Sequence, residues 1–113
     1  MNRYAYHLAG KDYGKLGRVL QTPPMMKITG FYVNSKGQKH GLDRAVMRDV
    51  TTADRLDALK NPIIVLEQAN GARLGFLSER AMVVTTRTGE LVTTYGRSDF
   101  HTTIQNILRD AGY

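Results

Sequence analysis

The run Lys39–Asp49, KHGLDRAVMRD, holds the residues of this chain best suited to chemistry on a phosphodiester. Its spacing predicts a helix from His40 to about Asp49, with His40, Arg44 and Arg48 four residues apart. At 3.6 residues per turn those positions drift only ~40° per step and form one stripe. Leu42, Ala45 and Val46 fall on the opposite, apolar side. An imidazole can move a proton near neutral pH, and two guanidiniums can hold phosphate oxygens. The same cations would equally suit an ordinary solvated helix face.

A second group lies in ELVTTY, Glu90–Tyr95. As a strand it places Thr93 and Tyr95 on one face, with Val92 and Thr94 on the other. If Val92 and Thr94 face the helices, two hydroxyls are offered outward; Thr and Tyr are also simply good strand formers. Lys60 could reach a phosphate or cap the last carbonyls of its helix. His7 and His101 stand apart from His40, with no metal-ligand spacing. Neither a nucleotide-binding glycine fingerprint nor a nucleophile elbow is present, so we expect no metal and no cofactor.

The elements that must position these groups follow from the breakers. Residues 1–24, interrupted by Gly10, Gly14 and Gly17 and closed by Pro23–Pro24, read as a basic linker or arm ahead of a domain over 25–113. MMKITGFYV, 25–33, is a short strand or extended lead-in, and NSKGQ, 34–38, is a loop. After the 40–49 helix, Thr51 or Thr52 offers an N-cap, with Asp54 in the first turn of a second helix. That helix, about Ala53–Lys60, is expected to turn Ala53, Leu56 and Leu59 inward and to end at Asn61–Pro62. Four strands follow, over 63–68, 73–77, 81–86 and 90–95. A two-residue Asn70–Gly71 hairpin and a turn at Thr88–Gly89 punctuate them. A last helix, about His101–Asp110, carries Ile104, Ile107 and Leu108 on one face and stops at Gly112. The expectation is an α+β domain: N-terminal helices on a four-stranded antiparallel meander, with a C-terminal helix.

Composition narrows the class. At 113 residues the chain is one domain, with 42% apolar and 23% charged residues, which is globular usage. It has no cysteine, so disulfides and thiolate chemistry are excluded. No apolar run nears the ~20 residues of a membrane span. The amino terminus lacks the apolar middle of a secretory signal, which suits a cytoplasmic protein or a piece of a larger exported one. Residues 1–40 hold seven Lys or Arg against Asp12 alone, an excess of six that equals the net charge of the whole chain. Such a segment favours a polyanion through counterion release, although a basic leader can also be just a soluble linker.

Taken in order, KITGFY, KHGLDRAVMRD, ALKNPIIV, EQANGARLGFL and ERAMVVTTRTGELVTTY resemble the C-terminal toxin domains of bacterial polymorphic secretion systems, the contact-dependent inhibition and Rhs-type proteins. The likeness spans Met26–Tyr95 and rests on order and spacing rather than on one motif. The loop NSKGQ before the first helix and the helical extension after Gly96 depart from the family pattern. The resemblance implies a member of the Barnase–EndoU–colicin–RelE group of metal-independent ribonucleases, several of which attack tRNA. It also implies a monomeric domain of a secreted or cell-surface protein that acts in the target-cell cytoplasm, and a cognate, acidic immunity protein. Carried over by residue, the helix histidine falls on His40 and the helix-end arginine on Arg48, and the Thr-Thr-aromatic element on Thr93, Thr94 and Tyr95. His40, Arg48, Thr93 and Tyr95 are then the expected catalytic residues, and Lys39, Arg44, Lys60, Thr94 and Arg97 the expected RNA contacts. Other readings are a non-catalytic RNA-binding module, a RelE-like mRNA interferase, and an interaction domain with an acidic partner.

Overall fold

A computed structural model describes residues 2–33 and 50–113 of the chain. The expected first helix, with Lys39, His40, Arg44 and Arg48, and the loop 34–38 lie outside the described residues.

The class is α+β, but the sheet has six strands and is mixed rather than a four-stranded antiparallel one. Its strands are β1 (Arg18–Val19), β2 (Gly30–Phe31), β3 (Ile64–Gln68), β4 (Arg73–Leu77), β5 (Ala81–Thr86) and β6 (Glu90–Gly96), in the spatial order β1-β3-β4-β5-β6-β2. The middle four strands are the expected consecutive meander, antiparallel throughout. The two edge strands are additions to the expected meander. β1 adds antiparallel to β3, and β2 adds parallel to β6. Two-residue strands carry almost no periodicity, so only the register of their neighbours reveals them.

The segment expected as a basic linker or arm also contributes to the core. Tyr4, Ala5, Leu8 and Val19 are buried in the same core as the meander. The Tyr4 hydroxyl donates to the Leu20 carbonyl at 2.8 Å and accepts from the Val65 amide at 3.2 Å. Burial raises its pKa, although the Val65 backbone contact opposes that shift. Gly17 explains how the chain can lie so close to β3. Its φ is +111°, and a Cβ there would strike the Glu67 carbonyl oxygen.

Because β1 and β2 occupy opposite edges, the connection between them crosses the whole sheet, five strand spacings or roughly 24 Å. Leu20 is anchored at Val65 and Thr29 at Gly89, and the intervening residues must run extended to bridge that span. Pro23–Pro24, read from sequence only as the close of an arm, suit this strap because proline fixes an extended backbone.

Two helices of the described residues flank the sheet. α1 (Thr52–Lys60) starts at Thr51, whose hydroxyl accepts from the Asp54 amide at 3.0 Å, and packs against β4 and β5. Ala58 and Leu59 are buried, but Ala53 and Leu56 are exposed, contrary to the expected inward face. α2 (Thr102–Asp110) buries Ile104, Ile107 and Leu108 as expected, and Gly112, φ +98°, lets the Tyr113 amide bond back to the Leu108 carbonyl. The β3–β4 hairpin is real, but its loop has four residues, 69–72, not two. Ala69 and Asn70 both take positive φ, and the Arg87 side chain holds the turn at the Gly71 carbonyl and at Glu67. Among the described residues no helix is long and apolar enough to cross a membrane.

Candidate nucleic-acid interface

Register decides which hydroxyls of β6 share a face. Tyr95 pairs with Met82 and Thr93 with Val84, and through β5 these rows continue to Leu77 and Gly75 of β4. Alternation along β4 then puts Arg73 on the same face, opposite Thr86. Thr94 belongs to the other face. It pairs with Val83, is 0% exposed and cannot touch RNA in this arrangement.

The expected alternation breaks between Val84 and Thr85. Val84 faces Thr93 but Thr85 faces Leu91, so Val92 is an extra residue, a β-bulge. Leu91 and Thr93, two apart in sequence, consequently fall on opposite faces. Leu91 is sealed in the core at 1% exposure, whereas Val92 and Thr93 both keep 8%. The bulge sits beside the hydroxyl pair, and such irregularities re-aim side chains.

Thr93 is more than nine-tenths buried, and its hydroxyl has no hydrogen-bond partner among the described residues. The Thr94 hydroxyl on the opposite face is likewise unpartnered. A buried hydroxyl left unpaired costs about 1–3 kcal/mol, so each requires an explanation. For Thr94 a structural one suffices, since threonine packs well beside Val83 in a sheet. Thr93 lies instead on the face that carries Tyr95 and Arg73, but its hydroxyl is buried there rather than offered outward as the alternation predicted.

Two residues that sequence reasoning missed complete this face. The Arg73 guanidinium stands 5.4 Å from the ring centre of Tyr32, over its face. Arg73 belongs to β4 and Tyr32 follows β2, so the pair spans β5 and β6. Both are half-buried. A planar cation on an aromatic ring is the kind of platform on which an unstacked base can lie. The signal in the sequence was weak. Arg73 looked like the first residue of a returning strand, and Tyr32 belonged to an ambiguous lead-in.

The remaining expected residues are scattered. Arg97, exposed just after β6, donates to the Glu79 carbonyl at 2.9 Å and so braces the turn between β4 and β5. Lys60, exposed at the end of α1, borders a separate cleft whose lining includes neither Thr93 nor Tyr95. The basic N-terminal segment is partly neutralised by acids: Arg3 pairs with Asp57 at 2.6 Å, Lys11 with Asp110 at 3.1 Å and Arg18 with Asp12 at 3.8 Å. His101 is exposed at the start of α2, and the His7 ring donates to the Asp110 carbonyl at 2.8 Å. Among the described residues no group of three or more His, Asp or Glu is gathered as a metal site.

No protein-family model, curated protein or solved structure matches this chain.

Proposed function

We propose that the chain is a metal-independent endoribonuclease that cleaves tRNA, a toxin domain of the Barnase–EndoU–colicin–RelE type used in competition between bacteria. The observation that carries this reading is one sheet face bearing the unpartnered Thr93 hydroxyl, Tyr95, and the Arg73–Tyr32 pair. The excess of basic residues in the first 40 positions supports a polyanionic substrate.

RNA supplies its own nucleophile, the 2′-hydroxyl beside the scissile phosphate. In the proposed reaction His40 takes the 2′-hydroxyl proton and the freed oxygen attacks phosphorus in line. The bond to the 5′-oxygen breaks as that oxygen takes a proton from a water molecule, and the proton held by His40 returns to the hydroxide that remains. The products are a 2′,3′-cyclic phosphate and a 5′-hydroxyl. Positioned proton transfer of this kind contributes about 10²–10⁴ in rate. Arg48, with Arg44, holds charge on the non-bridging oxygens as the transition state forms. Thr93 orients one of those oxygens, Tyr95 stacks on a base or donates to the phosphate, and Lys39 tracks the backbone without reading sequence. The Arg73–Tyr32 platform receives a neighbouring base.

A binding module without chemistry is favoured by the same platform, because stacking alone grips single strands. Incubation with total tRNA in excess chelator, followed by mapping of the new ends, separates the two. Fragments with cyclic phosphate and 5′-hydroxyl ends are the expected result. Intact tRNA would leave the binding module, and fragmentation that the chelator abolishes would overturn the metal-free scheme.

A further inference from the structure

The strap over residues 23–28 and the C-terminal half of α1 border an open cleft of about 1170 Å³, and neither the fold nor the proposed RNA chemistry accounts for it. Its walls are aliphatic. Pro23, Pro24, Met26 and Ile28 line one side and Leu56, Leu59 and Pro62 the other. Two large apolar side chains stay in solvent there: Met25 is 100% exposed, and Leu56 is 44% exposed on a helix whose Ala58 and Leu59 are buried. Lys27 and Lys60 also belong to the lining, which contains no carboxylate among the described residues. Neither lysine is in an ion pair among the described residues.

We infer that this cleft docks an acidic, amphipathic segment of a partner protein, with an apolar anchor between Met25 and Leu56 and carboxylates meeting Lys27 and Lys60. Charge complementarity selects the occupant, because two cations with no ion pair among the described residues, set at an aliphatic cleft, attract an apolar ligand that carries negative charge. The cleft is larger than the roughly 300–1,000 Å³ of small-molecule sites and is open, which suits a chain segment laid along a groove. RNA is disfavoured because the lining, among the described residues, offers no aromatic ring and no arginine, the groups on which unstacked bases rest. A second copy is disfavoured because a two-fold contact sets the patch against itself, lysines against lysines. This inference stands apart from the proposed nuclease face and survives its failure.

The test uses the full chain, immobilised, and a phage-displayed library of random 12-residue peptides. Selected peptides should combine Asp or Glu with an aliphatic or aromatic anchor. A synthetic copy should shift the amide resonances of Met25–Ile28 and Leu56–Asn61. Lys27→Glu and Lys60→Glu should each weaken that peptide about threefold to fivefold, as lost exposed ion pairs do. Leu56→Ala should weaken it about fivefold or more, as loss of an anchor contact does. All three positions are exposed, so the variants keep the fold. Neutral or basic selected peptides, affinity indifferent to these substitutions, or resonance shifts elsewhere overturn the inference. So does occupation of the cleft by poly(U) or by phosphatidylserine vesicles in preference to the acidic peptide.

Discussion

Thr93 and Thr94 are neighbours of one residue type, both buried and both with unpartnered hydroxyls, yet their faces assign them different consequences. Replacing a hydroxyl by a methyl group of the same shape removes the cost of burying it unpaired. Thr94→Val is therefore expected to raise stability by about 1 kcal/mol, read as a higher urea midpoint, and to leave tRNA cleavage unchanged. Thr93→Val should be at least as stable as the parent but lose about tenfold in cleavage, within the range for a lost positioning hydrogen bond to a charged group. Equal cleavage by both variants would remove Thr93 from the proposed mechanism. Sequence alternation puts Thr93 and Tyr95 on one face, as the register has it, but offers both hydroxyls outward, whereas Thr93 is buried. It did not reveal the bulge at Val92, because an extra residue in one strand shows only against its partner's register. The Arg73–Tyr32 contact was out of reach for the same reason, since it joins strands distant in sequence.

Elements were legible where local chemistry fixes them. The Thr51 cap, the break at Asn61–Pro62 and the Gly112 stop each follow from a residue's own backbone or hydrogen-bond preference. Thr51→Ala should cost about 1 kcal/mol and lower the thermal midpoint by roughly 4 °C, as seen by circular dichroism. Leu56 was misread because α1 is too short and too polar for its pattern to choose a face; packing of Ala58 and Leu59 chose it instead. β1 depends on a single glycine. At Gly17 any side chain meets the Glu67 carbonyl while φ is +111°, so Gly17→Ala should destabilise by about 1–3 kcal/mol. Hydrogen exchange should then show early loss of protection at Leu20, whose amide bonds to Val65. A variant as protected as the parent would mean that β1 does not need this approach.

At the scale of the whole molecule, the N-terminal segment is bound to the last turn of α2 through Asp110. The Asp110 carboxylate accepts from the Tyr13 hydroxyl at 2.8 Å and from Lys11 Nζ at 3.1 Å. Those two contacts, Tyr13 first, hold its pKa below the ordinary aspartate range. A carboxyl whose folded pKa is depressed adds stability at pH above its unfolded value, and that stability is lost as pH falls toward the folded one. The urea midpoint should therefore fall more steeply for the parent than for Asp110→Asn, starting at the ordinary aspartate value and continuing into acid. Parallel curves would show that the clasp contributes nothing. None of this was legible in a glycine-interrupted basic stretch, because its partners lie about a hundred residues away and only the folded chain brings them together. The meander and the last helix were legible, for each repeats a period long enough to read. The central claim joins His40 to the sheet face, and the most direct measurement is paired tRNA binding and cleavage by His40→Ala in chelator. The account predicts that binding stays within about twofold of the parent while cleavage falls by about 10²-fold or more. Cleavage at the parental rate by a variant that still binds would contradict it.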